Sequence, residues 1–252
     1  MNKFYVLLAA IGLTACASVP TSPPSKAGLL EYSGSQKSIF DTGKAEAKVP
    51  LTALSGAQDF FGVGAVAGLD GEITVFKGKP YVTKVRGNSY TMDHSAAHTA
   101  TFAVWTRQAE WTEQAVPAEV KSYLDIQNFV KERAAAAGID INQPFPFQLS
   151  GAPKEVKWHI NVDQTEGKQI TKELFAKSKA SYVINDTPMD IIGFYSENHP
   201  GVFISAYVPA ISASSGIKNT IHIHLITRDG NSAGHIDSLV LGTGMMLRLP
   251  KI

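Results

Sequence analysis

Thr220-Ile221-His222-Ile223-His224-Leu225-Ile226-Thr227-Arg228-Asp229-Gly230-Asn231-Ser232-Ala233-Gly234-His235 is the stretch on which the reading of this chain turns. Three of the chain's 7 histidines fall in it. The alternating, β-branched run Thr220 to Thr227 reads as a strand. Successive side chains of a strand point to opposite faces, so His222 and His224 share one face and Ile221, Ile223 and Leu225 the other. Asp229-Gly230 is a strong hairpin signal, since a type I′ turn needs positive φ at both central residues. If those two residues form the loop, Arg228 pairs with Asn231, His224 faces His235, and His222 faces Asp237. Three imidazoles then converge on one patch beside a carboxylate. Neutral imidazoles suit zinc, and also copper, iron or nickel; three on a rigid strand pair leave a coordination position open for chemistry. The competing reading is a polar hairpin face whose histidines only form hydrogen bonds. A third histidine brought opposite the second by the turn weighs against it.

Outward from the hairpin, the composition is that of an ordinary globular protein: 252 residues, 44% hydrophobic, 18% charged and net +1. Such a chain can bury a substantial core. Its near-neutral charge gives no reason to expect nucleic acid as a partner. The N-terminus reads differently. Lys3 supplies a positive start and Phe4 to Leu13 an apolar run. Leu13-Thr14-Ala15-Cys16 then has the form of a bacterial lipobox, with cleavage before Cys16. A plain secretory signal is the alternative, but the chain's single cysteine stands at the acceptor position. The expectation is a lipoprotein leader over 1–15 and a lipid-modified Cys16, holding the protein extracytoplasmically on a membrane without spanning it. With that thiol modified, disulfides and cysteine ligands leave the argument. The Ser/Pro-rich stretch that follows, with Val19-Pro20-Thr21-Ser22-Pro23-Pro24-Ser25, reads as a flexible tether over 16–39.

The rest is β-rich with few helices, an α/β chain in the broad (α+β) sense, divided into an N-terminal part over 40–110 and a C-terminal part over 111–252. Phe60 to Val66, Ile73 to Phe76, Tyr81 to Val85 and Thr101 to Thr106 read as an antiparallel meander, with Asp70-Gly71 as another hairpin turn. Pro117 to Gly138 reads as a helix, Pro117 opening it and Gly138 stopping it. A shorter helix is expected within Gly167 to Ala180. Strands are expected at Phe145 to Gly151, Val156 to Val162, Tyr182 to Ile184, Met189 to Phe194 and Val202 to Val208. In the second of these His159 shares a face with Lys157 and Asn161, opposite Trp158. Glu72, just after a turn, has by itself the position of a solvated rim carboxylate.

Several segments, taken in order, resemble the bacterial α-acetolactate decarboxylases. They are Gln58-Asp59-Phe60-Phe61-Gly62-Val63-Gly64, Leu69-Asp70-Gly71-Glu72 with Gly78 and Tyr81, Phe102-Ala103-Val104 and Phe147-Gln148-Leu149-Ser150-Gly151. Ile192-Gly193-Phe194, His222-x-His224 with Gly234-His235, and Leu247-Arg248-Leu249-Pro250 complete the set. The likeness spans roughly residues 45 to 250. It implies two subdomains, each built on a β-sheet, the C-terminal one closing into a barrel. It implies that His222, His224 and His235 hold zinc (or another divalent transition metal) and that Glu72 is the active-site glutamate. The implied reaction is decarboxylation of 2-acetolactate, a 2-hydroxy-3-keto acid, to acetoin; a homodimer is compatible with it.

Two departures stand out. Counting along from Gly151 puts His159 where the family carries an arginine, which makes it a further catalytic residue to expect. The family's C-terminal glutamate beyond Leu-Arg-Leu-Pro has no counterpart here. About a dozen extra residues also lie around Pro200 to Gly216. Three readings follow: a decarboxylase with altered surroundings of the metal, a zinc lyase, isomerase or hydrolase of the same fold on another substrate, and a non-catalytic zinc-binding lipoprotein. A cupin is disfavoured, because Arg228 and Asp229 stand where its motif needs a glutamate.

Overall fold

The computed structural model describes residues 24–203 and 216–252. The expected leader over 1–15, Cys16, and most of the strand expected over Val202 to Val208 lie outside the described residues. Strand-forming sequence condenses into two eight-stranded antiparallel sheets, and their division follows chain order. The first sheet holds β1 (Ser25–Ala27), β2 (Leu30–Ser33), β3 (Val49–Pro50), β4 (Phe60–Val66), β5 (Glu72–Phe76), β6 (Lys79–Arg86), β7 (Ser89–Asp93) and β8 (Thr99–Arg107). The second holds β9 (Trp111–Ala115), β10 (Phe145–Gly151), β11 (Glu155–Asn161), β12 (Lys179–Asn185), β13 (Met189–Tyr195), β14 (Ile221–Thr227), β15 (Ala233–Val240) and β16 (Met246–Pro250). Among the described residues three α-helices connect strands within a sheet: α1 (Gln36–Thr42) in the first, α2 (Tyr123–Ala136) and α3 (Lys172–Lys177) in the second.

The first sheet runs β1-β2-β8-β4-β5-β6-β7, with β3 pairing β8, and the second β12-β11-β15-β14-β13-β10-β16-β9. The second sheet thus curves without closing into the expected barrel: among the described residues its end strands β12 and β9 do not pair. Alternation on β4 explains how the sheets stack. Phe61, Val63 and Ala65 face inward and share a core with Phe102 and Val104 of β8 and with Ile192, Phe194, Ile226 and Ala233 of the second sheet. Phe60 and Val66 point outward into a separate cluster with Ile73, Val75, Val82 and Trp105. On its far side the second sheet carries α2, whose Ile126, Val130 and Ala134 pack with Phe145, Phe147 and Trp158. At about 25 cal/mol per Å² of apolar surface removed from water, burial of such side chains is the main drive for stacking these layers.

Local chemistry corrects several expectations. The N-terminal tether is shorter than 16–39: residues from Ser25 onward form β1, β2 and α1, and Leu30 and Ile39 are fully buried. Helix α2 begins not at Pro117 but after Ser122. That hydroxyl accepts from Asp125 N while the Asp125 carboxylate accepts from the Ser122 backbone, a capping box that satisfies N–H groups a helix start leaves unpaired. The shorter helix expected within Gly167 to Ala180 is present as α3, capped by Thr171. Asp70-Gly71 is not a two-residue turn, because β4 and β5 are joined by a longer loop with Leu69 at φ 56° and Gly71 at φ 134°. The two-residue turn lies one hairpin later, at Lys77 (φ 51°) and Gly78 (φ 74°) between Phe76 and Lys79, with the paired positive φ of type I′.

Candidate metal centre

Strand β14 places His222 and His224 on one face, and the hairpin after it pairs His224 with His235, Leu225 with Gly234 and Ile226 with Ala233. The expected register is therefore present, although the turn is built differently. Of Asp229 and Gly230 only Gly230 has positive φ, and its N–H donates to Thr227 O. The Asp229 carboxylate accepts from the Thr227 hydroxyl and the Asn231 amide, which fixes the loop. On its other side β15 pairs with β11, so His159 lies opposite His235. His159, His235 and His224 thus form a row across three adjacent strands, with His222 two residues along.

Beyond His235 the expected register fails. Lys157 pairs with Ser238 but Trp158 pairs with Ile236, leaving Asp237 as the extra residue of a β-bulge. The β14–β15 ladder itself stops at His224 and His235, so His222 is not paired with Asp237. The bulge aims Asp237 at His159 instead, and its two oxygens lie 2.9 and 3.0 Å from His159 Nδ1. Both faces of β11 are buried from Trp158 to Asn161, and His159 is only 4% exposed.

The candidate ligand atoms of His222, His224 and His235 all lie within 4.8 Å of one another. The donor set, three imidazole nitrogens, suits a shared ion of the zinc type, which such ligands hold at about 2.0–2.1 Å. The chemistry of the rings suits that use. His222 Nδ1–H donates to Val202 O at 3.0 Å, which leaves Nε2 as a lone-pair donor. His224 Nδ1 lies 3.0 Å from the Thr74 hydroxyl and likewise leaves Nε2 to the cavity. Such outer partners fix tautomer and ring orientation at metal sites. Burial also keeps the rings neutral: it lowers His222 to about 4 against a raising effect of the Val202 carbonyl. His224 and His235 are held well below the ordinary range, again first by burial and then by neighbouring imidazoles. His159, His235 and Asp237 form a second grouping with ligand atoms within the same reach. The Lys179 ammonium, 3.9 Å from Asp237 Oδ1, sets a positive charge against any cation there.

The first sheet supplies the opposite wall. Glu72 and Thr74 alternate on the face of β5 turned toward the histidine row. Glu72 is 3% exposed, which replaces the rim position suggested by its place after a turn. Its Oε2 is 3.8 Å from His224 Nε2 and its Oε1 is 3.9 Å from His159 Nε2. Asn161 Nδ2 donates to Oε1 at 2.5 Å. Burial raises the Glu72 carboxyl well above the usual range, opposed by the charge of Lys179 and the Asn161 hydrogen bond. The space between the walls is a cavity of about 80 Å³ lined by these groups, by Lys179, and by Phe102, Phe175 and Phe203. At roughly 10–15 Å³ of such volume per water, it has room for a handful of waters or a small metabolite. All five residues expected in the site line it: Glu72, His159, His222, His224 and His235. Thr74, Asn161 and Lys179 went unremarked as site residues in the sequence. Thr74 and Asn161 carried a usable signal, their alternation with Glu72 and His159; Lys179 carried none.

The protein-family model described as Alpha-acetolactate decarboxylase matches residues 32–248. Among solved structures, the alpha-acetolactate decarboxylase of Bacillus subtilis strain 168 superposes with a TM-score of 0.66 at 18% identity, covering 88% of this chain and 85% of that one. The acetolactate decarboxylase of Bacillus subtilis subspecies spizizenii gives 0.65 at 18% identity, with 88% and 85% covered. A Staphylococcus aureus protein of unknown function, described as similar to alpha-acetolactate decarboxylase, gives 0.63 at 15% identity, with 87% and 84% covered. No curated protein matches. At these identities the superpositions speak for the shared fold.

Proposed function

The chain belongs to the alpha-acetolactate decarboxylase family, and from that premise we propose that it converts 2-acetolactate to acetoin with a divalent metal, zinc by preference, held by His222, His224 and His235. What supports this is one juxtaposition: three imidazoles, of which His222 is oriented by Val202 and His224 by Thr74, face a buried Glu72 across a metabolite-sized cavity. When bound, the ion supplies Lewis-acid polarisation of the substrate's oxygens. The rest falls to side chains of this chain. Phe102, Phe175 and Phe203 narrow the cavity and exclude water from the bond that breaks. As carbon dioxide leaves, the electron pair of the C–C bond passes toward the adjacent ketone. The carbon it leaves must then gain a proton. Glu72, whose carboxyl burial pushes toward its acid form and which Asn161 steers, is placed to deliver that proton. His159, held by Asp237 through Nδ1 with its Nε2 3.9 Å from Glu72, is placed to pass on a proton that its Nε2 first takes up from solvent. On sequence grounds the same proposal puts the enzyme outside the cytoplasm, anchored through a lipid on Cys16.

The test is acetoin release from racemic acetolactate by purified protein carrying one zinc per chain, compared with His224→Ala. The proposal expects turnover in the first and loss of both zinc and turnover in the second. A zinc-loaded protein that releases no acetoin refutes it. One observation favours a second reading, a zinc enzyme of this fold with another substrate. His159 paired with Asp237 is an imidazole–carboxylate couple suited to proton transfer, at the position where the family resemblance leads one to expect an arginine.

A further inference from the structure

The reading above leaves one charged group of the cavity without a task. Lys179 opens β12 and lines the cavity, and it is the single lysine or arginine among the lining residues. Its side chain is two-thirds buried, 33% exposed. An ammonium carries three donors and is strongly hydrated, so at the wall of a half-closed cavity it favours an acceptor that reaches it there. Yet among the described residues Lys179 Nζ makes no hydrogen bond. The carboxylate nearest to it, Asp237, is 3.9 Å away, and both oxygens of that group are engaged by His159 Nδ1. Glu72, on the far wall, feels the charge of Lys179 but is hydrogen-bonded to Asn161. The other polar groups facing the cavity are the histidines, Asn161 and Gln36, none of which carries a permanent positive charge.

Resting on the proposed function, we propose that Lys179 recognises the carboxylate of the substrate and makes the site selective for small 2-hydroxy monocarboxylates over their neutral analogues. A carboxylate lying in the cavity with its hydroxyl toward the histidine trio would bring the unused donors of Lys179 an acceptor. It would also set a compensating negative charge beside the ammonium. A lysine suits this as a point charge on a flexible stem, where an arginine would act as a planar fork. Lys179 stands on a different strand from His159, so the cation of this site is supplied by β12 rather than by β11.

The experiment compares binding of 2-hydroxyisobutyrate and of its neutral amide to the full chain, purified in detergent and reconstituted with zinc, by calorimetry. Wild type, Lys179→Met and Lys179→Arg are measured, with zinc content determined for each. The expected result is that wild type prefers the acid and that Lys179→Met loses about 10- to 100-fold in affinity for it, the scale of one charge-assisted hydrogen bond. Affinity for the amide stays within about two-fold, and Lys179→Arg retains most of the binding of the acid. No preference of the wild type for the acid, or an equal loss for acid and amide in Lys179→Met, overturns the proposal. Acetolactate turnover in the same preparations separates the two readings. Lys179-dependent binding without acetoin refutes the proposed reaction alone, whereas acetoin formation with an unchanged KM in Lys179→Met refutes the role of Lys179 alone.

Discussion

Replacing Thr74 by valine tests whether the first sheet tunes the metal site of the second. Thr74 is fully buried on β5, and its hydroxyl lies 3.0 Å from Nδ1 of His224, itself 1% exposed. Valine keeps the shape and removes the only polar partner of that nitrogen among the described residues. The cost depends on the state of the ring. Without metal, His224 can shift its proton to Nε2 and leave Nδ1 as an unprotonated acceptor. With metal on Nε2, Nδ1 must carry the proton, and a buried donor is left unsatisfied at about 1–3 kcal/mol. The penalty therefore falls mainly on the loaded protein, and at about 1.4 kcal/mol per decade zinc affinity should drop roughly 5- to 100-fold. This agrees with the 10- to 100-fold typical of lost outer partners at metal sites. Competition with a chromophoric chelator measures it, and denaturation of the metal-free forms shows whether the fold is intact. A zinc affinity within two-fold of wild type in an intact fold would refute the orienting role of Thr74.

Three further outcomes are expected. His159→Ala should lower kcat by roughly 10²- to 10⁴-fold, the range of a positioned acid–base group, with one zinc per chain retained; loss of zinc instead would make His159 a ligand. Glu72→Gln should stabilise the metal-free protein in a pH-dependent way. Burial raises the folded-state pKa of Glu72, so the native state holds more protons than the unfolded chain. Its contribution is intact below the unfolded value of about 4.3 and is lost as pH rises through the raised folded value. Urea melts should show no advantage of the glutamine near pH 4 and a growing one toward neutrality; parallel curves contradict the assignment. Gly193→Ala would put a Cβ 2.2 Å from Cζ of the buried Phe147 ring. The expected overpacking of about 1–3 kcal/mol lowers Tm by roughly 2–12 °C in a chain of this size, and an unchanged melt would refute it.

What the sequence revealed, and what it hid, follows from the range of the interactions involved. The pairing of His224 with His235 was legible because a short hairpin fixes its own register, and the count survives even though the turn is not type I′. Asp237 was misplaced because one inserted residue reverses every later facing, and a bulge leaves no mark in the amino-acid pattern. Ser122 was overlooked as a helix start because Pro117, also suited to a first turn, stood nearer the expected boundary. The Ser/Pro-rich N-terminus concealed Leu30 and Ile39, whose burial depends on partners distant in sequence. Glu72, which looked like a surface carboxylate by itself, was recovered through the family resemblance. Lys179 gave no signal, since only the packing of β12 beside β11 brings it to the cavity.

The Thr74–His224 contact joins positions 150 residues apart, one from each sheet. The site consequently needs both halves of the chain before it is complete. A nascent chain exposing only its N-terminal half owns a carboxylate and a hydroxyl with nothing to grip, and the C-terminal half alone presents imidazoles free to swivel. Competence arrives with the last long-range closure, a slow step for a fold of such distant pairings, so an ion captured tightly reports that folding has finished.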